Sequence, residues 1–179
     1  MKHLTTIQIA VIAVMIAVVT VFTLAVRIPI PGTPGGYVNF SDVAVFFTAF
    51  AFGPWIGFIA SAVGTALADL IGFPATAPLT FFAHGLEALV AALIFLRLKS
   101  LRGMLLGWAA GALIMVGLYF LGESAGIAAY TQIMAVAEAP FNIVQVAVGG
   151  VIGIPLVYAV RRAYPPISQI GFGRTWKDL

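Results

Sequence analysis

From Val43 to Ile71 the chain reads VAVFFTAFAFGPWIGFIASAVGTALADLI. It carries one charge, Asp69, and is broken only by Gly53-Pro54. Two readings compete: one long tilted helix crossing a bilayer once, or two short helices meeting at Gly53-Pro54. The basic residues outside the stretch arbitrate, because cytoplasmic loops of membrane proteins collect Lys and Arg. If the stretch crosses twice, Lys2, Arg97, Lys99, Arg102, Arg161, Arg162, Arg174 and Lys177 share one side, and only Arg27 lies opposite. If it crosses once, Lys2 faces the seven C-terminal basic residues. The even count is self-consistent and makes Gly53-Pro54 the inner turn.

The rest of the chain agrees with a membrane setting. Of 179 residues, 62% are hydrophobic and 8% charged, against roughly half and a quarter in soluble domains. Five or six helices of about 20 residues use nearly the whole chain, so a single domain over residues 1–179 is expected. The expected helices are 5–26, 42–52, 54–71, 78–96, 103–121 and 139–162, with a polar segment over 122–138 and a polar tail over 165–179. Ser41 or Asp42 suits an N-cap for the second helix. The fold expected is an all-α integral membrane protein of six transmembrane helices, both termini cytoplasmic, with helices 2 and 3 short. The first apolar stretch, Ile7 to Val26, is too long for a signal-peptide core.

On that topology Asp42, Asp69, Glu87, Glu123 and Glu138 fall in the outer half, and only Asp178 lies inside. Glu87 is the most informative, since an ionisable residue inside a span marks function by default. His84 shares its face at i, i+3. Glu138, Asn142 and Gln145 form one stripe on helix 6, continued by Gly149. Polar stripes on two helices at one end point to a cavity for a small polar ligand. Phe81, Phe82, Tyr119, Phe120, Tyr130 and Phe141 lie at similar depth and offer stacking surfaces. Plainer readings stand beside these: a structural His84–Glu87 pair, Asp42 as a helix cap, the remaining acids as interfacial charge and the aromatics as core or belt. Ala13 and Ala17 form a small-xxx-small pair on helix 1.

Several chemistries are missing from the sequence. There is no cysteine, no G-x-x-x-x-G-K-[ST] nucleotide loop and no H-E-x-x-H zinc motif. Ser61 and Ser124 have no evident catalytic partner. No metal or cofactor is expected, no nucleic-acid-binding pattern is present, and an enzyme is not expected.

The stretch Pro34-Gly35-Gly36-Tyr37-Val38-Asn39-Phe40-Ser41-Asp42 resembles the first loop and second helix of S components of energy-coupling factor (ECF) transporters. Phe52-Gly53-Pro54-Trp55-Ile56-Gly57-Phe58, Ala66 to Pro74 and Ala77-Pro78 extend the resemblance. Gly85-Leu86-Glu87 and Ala139-Pro140-Phe141-Asn142-Ile143-Val144-Gln145 with Gly149-Gly150 complete it, closest to the riboflavin, hydroxymethylpyrimidine and pyridoxine subgroup. The resemblance implies a substrate-capture subunit for a vitamin or vitamin precursor in a prokaryotic cell membrane. It implies partners too: a transmembrane coupling protein, met by Ala13 and Ala17, and two cytoplasmic ATPases. It places ligand at the outer end, framed by the first loop, helices 4 to 6 and the loop joining helices 5 and 6. Asn39, His84, Glu87, Glu138, Asn142 and Gln145 are expected to hold the ligand, with Tyr130 as a stacking or lid residue. Many relatives are expected to carry lysine where this chain has His84. The alternative is a self-contained channel or facilitator, which needs polar residues along the inner half, where helices 4 and 6 are mostly apolar.

Overall fold

A computed structural model describes residues 5–170. Lys2, Arg174, Lys177, Asp178 and the tail beyond 170 lie outside the described residues. The helices are α1 (Thr6–Ala25), α2 (Ser41–Phe52), α3 (Pro54–Gly72), α4 (Ala77–Leu98), α5 (Leu101–Ser124) and α6 (Gln132–Ala163). All but α2 are long and apolar enough to cross a membrane. The chain is an all-α membrane protein.

The turn between α2 and α3 is a single residue. Gly53 has φ 90°, a conformation that side chains disfavour. Pro54 then opens α3 at a position where its missing N–H costs nothing. The expected shortness belongs to α2 alone, since α3 has 19 residues. At 12 residues α2 is about 18 Å long, well under the roughly 30 Å hydrocarbon thickness. Its N-terminus is therefore sunk within the bundle, which leaves space above it.

Two further differences concern α5 and α6. The polar segment expected over 122–138 is largely helical. Here α5 runs on to Ser124, and α6 begins at Gln132 rather than 139. The Thr131 hydroxyl caps α6 by accepting from the Met134 amide, and Pro140 lies inside the helix rather than at its start. With 32 residues α6 is about 48 Å long, longer than a bilayer core.

Packing centres on α4, which lies against α2, α3 and α5. α1 packs on α2 and α3 at the edge. Gly149 sets the spacing of α2 and α6, for a Cβ there meets the Asp42 backbone carbonyl carbon at 2.9 Å. Trp108 Nε1 donates to the Val146 carbonyl at 2.9 Å and ties α5 to α6. The half of the bundle nearer Arg97, Lys99 and Arg102 is filled by Phe46, Phe50, Phe95 and Met104, none of them exposed. Phe50 and Phe95 meet edge to face at 5.5 Å.

At the other end, the α1–α2 connection folds back as a small antiparallel pair, Ile28↔Val38 and Pro29↔Tyr37. This loop covers the space above α2.

Candidate functional site

The space above α2 is a cleft enclosed by the α1–α2 loop and the ends of α3, α4, α5 and α6. Asn39, His84, Tyr130, Glu138, Asn142 and Gln145 all line it. Glu87 does not: it lies wholly buried behind His84. Six of the seven expected site residues thus share one cavity, and the seventh supports it.

The floor is an imidazole set between two carboxyl groups, contributed by α2 and α4 and braced by α6. His84 Nδ1 is 2.8 Å from Glu87 Oε2 and 3.1 Å from Asp42 Oδ1. The Gln145 amide donates to Asp42 Oδ2 at 3.2 Å and accepts from the Asn39 amide N–H at 2.9 Å. The Asn39 side chain accepts from the Ser41 amide at 2.6 Å. Asp42 is therefore no helix cap. It sits inside α2, makes no capping bond, and turns to His84 across the bundle. Asp42, His84 and Glu87 offer three ligand atoms within 4.8 Å of one another. His84 Nδ1 is already shared by two carboxylates, so hydrogen bonding accounts for the grouping without a metal.

One wall is organised by Asp69 near the end of α3. It accepts hydrogen bonds from the Tyr37, Thr76 and Thr80 hydroxyls. Thr80 in turn meets the Tyr119 hydroxyl at 2.8 Å. Arg27 stacks over the Tyr37 ring at 4.6 Å and donates to the Ala68 carbonyl at 2.8 Å. Asp69 is 3% exposed, so it is no ordinary interfacial charge. Burial first, then the Asp69 carboxylate, pushes the Tyr37 phenol above its ordinary value of 10.0. The hydroxyl stays protonated and acts as a donor.

The opposite wall carries Glu123 from α5 and Glu138 from α6, both buried. Burial and then Glu138 likewise push the Tyr130 phenol up. Gly36 of the α1–α2 loop lies directly against Glu138, so the loop closes over that carboxylate.

Not every expected aromatic contributes. Phe82 and Phe141 are exposed on the outside of the bundle, where lipid is the solvent. Phe81 packs on Phe58 and Phe82. Among the aromatics named from the sequence only Tyr119 and Tyr130 face the cleft, joined by Tyr37. Asp42, Asp69, Tyr37 and Thr80 are the residues that sequence reasoning undervalued. Ala13 and Ala17 are exposed on the outer face of α1.

Gly122-Glu123-Ser124-Ala125-Gly126 fits the G-x-S-x-G spacing of a serine nucleophile. That motif needs a strand-to-helix turn, whereas Ser124 ends a helix, and His84 is committed to Asp42 and Glu87. The cleft presents acceptors and hydroxyls on its walls, with no nucleophile–base pair among the described residues.

Comparison with known proteins places this arrangement. The family profile of the S component of ECF-type riboflavin transporters matches residues 3–162. A protein of Pyrococcus woesei, described only as an uncharacterized protein in the gap 3′ region, is 38% identical over 151 residues, covering 84% of this chain and 99% of its own. A solved S component of a bacterial ECF transporter superposes with a TM-score of 0.71 at 25% identity, over 87% of this chain and 96% of that one.

Proposed function

Because the chain belongs to the family of ECF-type riboflavin transporter S components, substrate-binding transport subunits rather than enzymes, we propose that it captures a water-soluble vitamin or vitamin precursor in the cleft between the α1–α2 loop and α4–α6. The observation that carries this reading is the convergence of polar side chains from the α1–α2 loop, α3, α4, α5 and α6 on one cavity in an otherwise apolar bundle. Tyr119, Tyr130 and Tyr37 supply ring surfaces. Asn39, Asn142, Gln145, His84 and Glu138 supply polar contacts, and Glu87 holds His84.

The cleft end faces outward on this reading, because Arg97, Lys99, Arg102, Arg161 and Arg162 all lie at the other end. Both termini are then cytoplasmic, in the cell membrane of a prokaryote. Uptake requires a transmembrane coupling protein and two ATPases, since the chain has no nucleotide loop. The exposed Ala13-Ala17 face of α1 is the surface offered to the coupling protein. Small residues there let a partner helix approach closely.

A self-contained facilitator fits less well, because Phe46, Phe50, Phe95 and Met104 fill the half beneath the cleft. The two readings separate in cells that take up labelled riboflavin or thiamine. A capture subunit gives accumulation only when the coupling protein and ATPases are expressed with it. Equilibration of solute by the chain alone supports the facilitator instead.

A further inference from the structure

Glu123 Oε2 and Glu138 Oε2 are buried with no hydrogen-bond partner among the described residues. Both residues line the cleft, and they are 2% and 4% exposed. A carboxylate oxygen buried without a donor is costly. Two carboxyl groups facing one space repel each other when both are ionised. Asp69 in the same cleft shows the contrast, with three hydroxyl donors on it. The protein satisfies one acid fully, gives Glu138 the Tyr130 hydroxyl, and leaves Oε2 of Glu123 and of Glu138 open.

The remainder of the lining does not offset them. No lysine or arginine lines the cleft among the described residues. Arg27 is turned away onto Tyr37 and the Ala68 carbonyl. His84 is engaged through Nδ1 by Asp42 and Glu87. An anionic group entering beside Glu123 and Glu138 meets acceptor oxygens in a largely desolvated space, with no lysine or arginine among the described lining residues to pair with it. A donor-rich or cationic group meets two unpaired acceptors.

We infer that Glu123 and Glu138 are a specificity-determining pair that takes a cationic or hydrogen-bond-donating end of the ligand and excludes phosphorylated or carboxylated forms. The inference rests on the capture reading and sharpens it: the substrate is a non-anionic, donor-rich heterocycle.

The test uses matched compounds that differ only in a phosphate: riboflavin and riboflavin 5′-phosphate, thiamine and thiamine phosphate. Binding to the purified chain in detergent is followed by tryptophan quenching, for the parent, Glu123→Gln, Glu138→Gln and the double variant. In the pair that binds, the unphosphorylated member should bind at least about 100-fold tighter to the parent. The double variant should narrow that ratio to about tenfold or less. The ratio on the parent protein alone decides the matter if the double variant does not fold. Phosphate-ester binding within about threefold of the free alcohol overturns the inference and leaves capture standing. An unchanged ratio in a folded double variant also overturns the role of the pair. No binding of either member of any pair, by folded protein, overturns the capture reading and this inference together.

Discussion

Asp42 Oδ1 on α2 lies 3.1 Å from His84 Nδ1 on α4. The contact joins the shortest helix to the central one directly beneath the cleft. Asp42 and His84 are both nearly or wholly buried, so their pairing matters to stability as well as to the shape of the floor. Removing Asp42 leaves His84 with Glu87 alone and strips the Gln145 amide of its acceptor. Asp42→Ala should therefore destabilise the fold by roughly 1–3 kcal/mol, read as a lower thermal midpoint in detergent. A double-mutant cycle with His84→Gln should return a coupling of roughly 0.5–3 kcal/mol. Additive effects would place the two residues in separate networks.

The spacing of α2 and α6 gives a second test. A side chain at Gly149 collides with Asp42, so Gly149→Leu should cost roughly 1–3 kcal/mol and weaken ligand binding by displacing Gln145. At Gly117 on α5 an added Cβ would meet nothing within 4 Å. Gly117→Ala should be neutral or stabilising by up to about 1 kcal/mol. Equal effects at the two glycines would contradict the packing described.

Alkaline pH probes the loops. Tyr37 and Tyr130 both have phenols pushed above the ordinary value of 10.0 by burial and a neighbouring carboxylate. The protonated form is favoured in the fold. Its contribution is fully present below pH 10 and is lost as pH rises above it. The thermal midpoint should hold steady to about pH 10 and then fall, with a smaller fall in Tyr37→Phe. A midpoint insensitive to pH between about 10 and 12, or an unchanged fall in the variant, would remove Tyr37 from the account.

The outer face of α1 should behave as a partner surface only. Ala13→Leu and Ala17→Leu alter exposed positions, so ligand binding by the isolated chain should be unchanged within about twofold. Co-purification with the coupling protein should drop sharply. Loss of ligand binding with assembly intact would contradict the assignment.

Much of this architecture is legible in the sequence, for identifiable reasons. Gly53-Pro54 reads as a turn because glycine takes the required φ without strain and proline opens the next helix. The Glu138, Asn142, Gln145 stripe reads as one face because the helical repeat is local. The start of α6 is misplaced from sequence because 122–138 reads as a polar segment, while the cap is Thr131, inside that segment. Asp42 and Asp69 are undervalued because capping and interfacial charge explain such acids locally. Their partners, His84 from α4 and Tyr37 from the α1–α2 loop, are distant in sequence and meet only in the folded bundle. Phe82 and Phe141 are overvalued for the converse reason: depth along a helix is readable, but which way a side chain faces depends on its neighbours.

The central claim is that the cleft binds ligand through its own polar wall. Equilibrium binding to the folded, purified parent protein tests it directly, with Asn142→Ala inside the cleft and Phe82→Ala on the lipid face for comparison. One vitamin or precursor should bind the parent tightly, with a loss of about 10- to 100-fold in Asn142→Ala and no change in Phe82→Ala. Equal loss in both variants, or undiminished binding in Asn142→Ala, would place the ligand elsewhere and contradict the account.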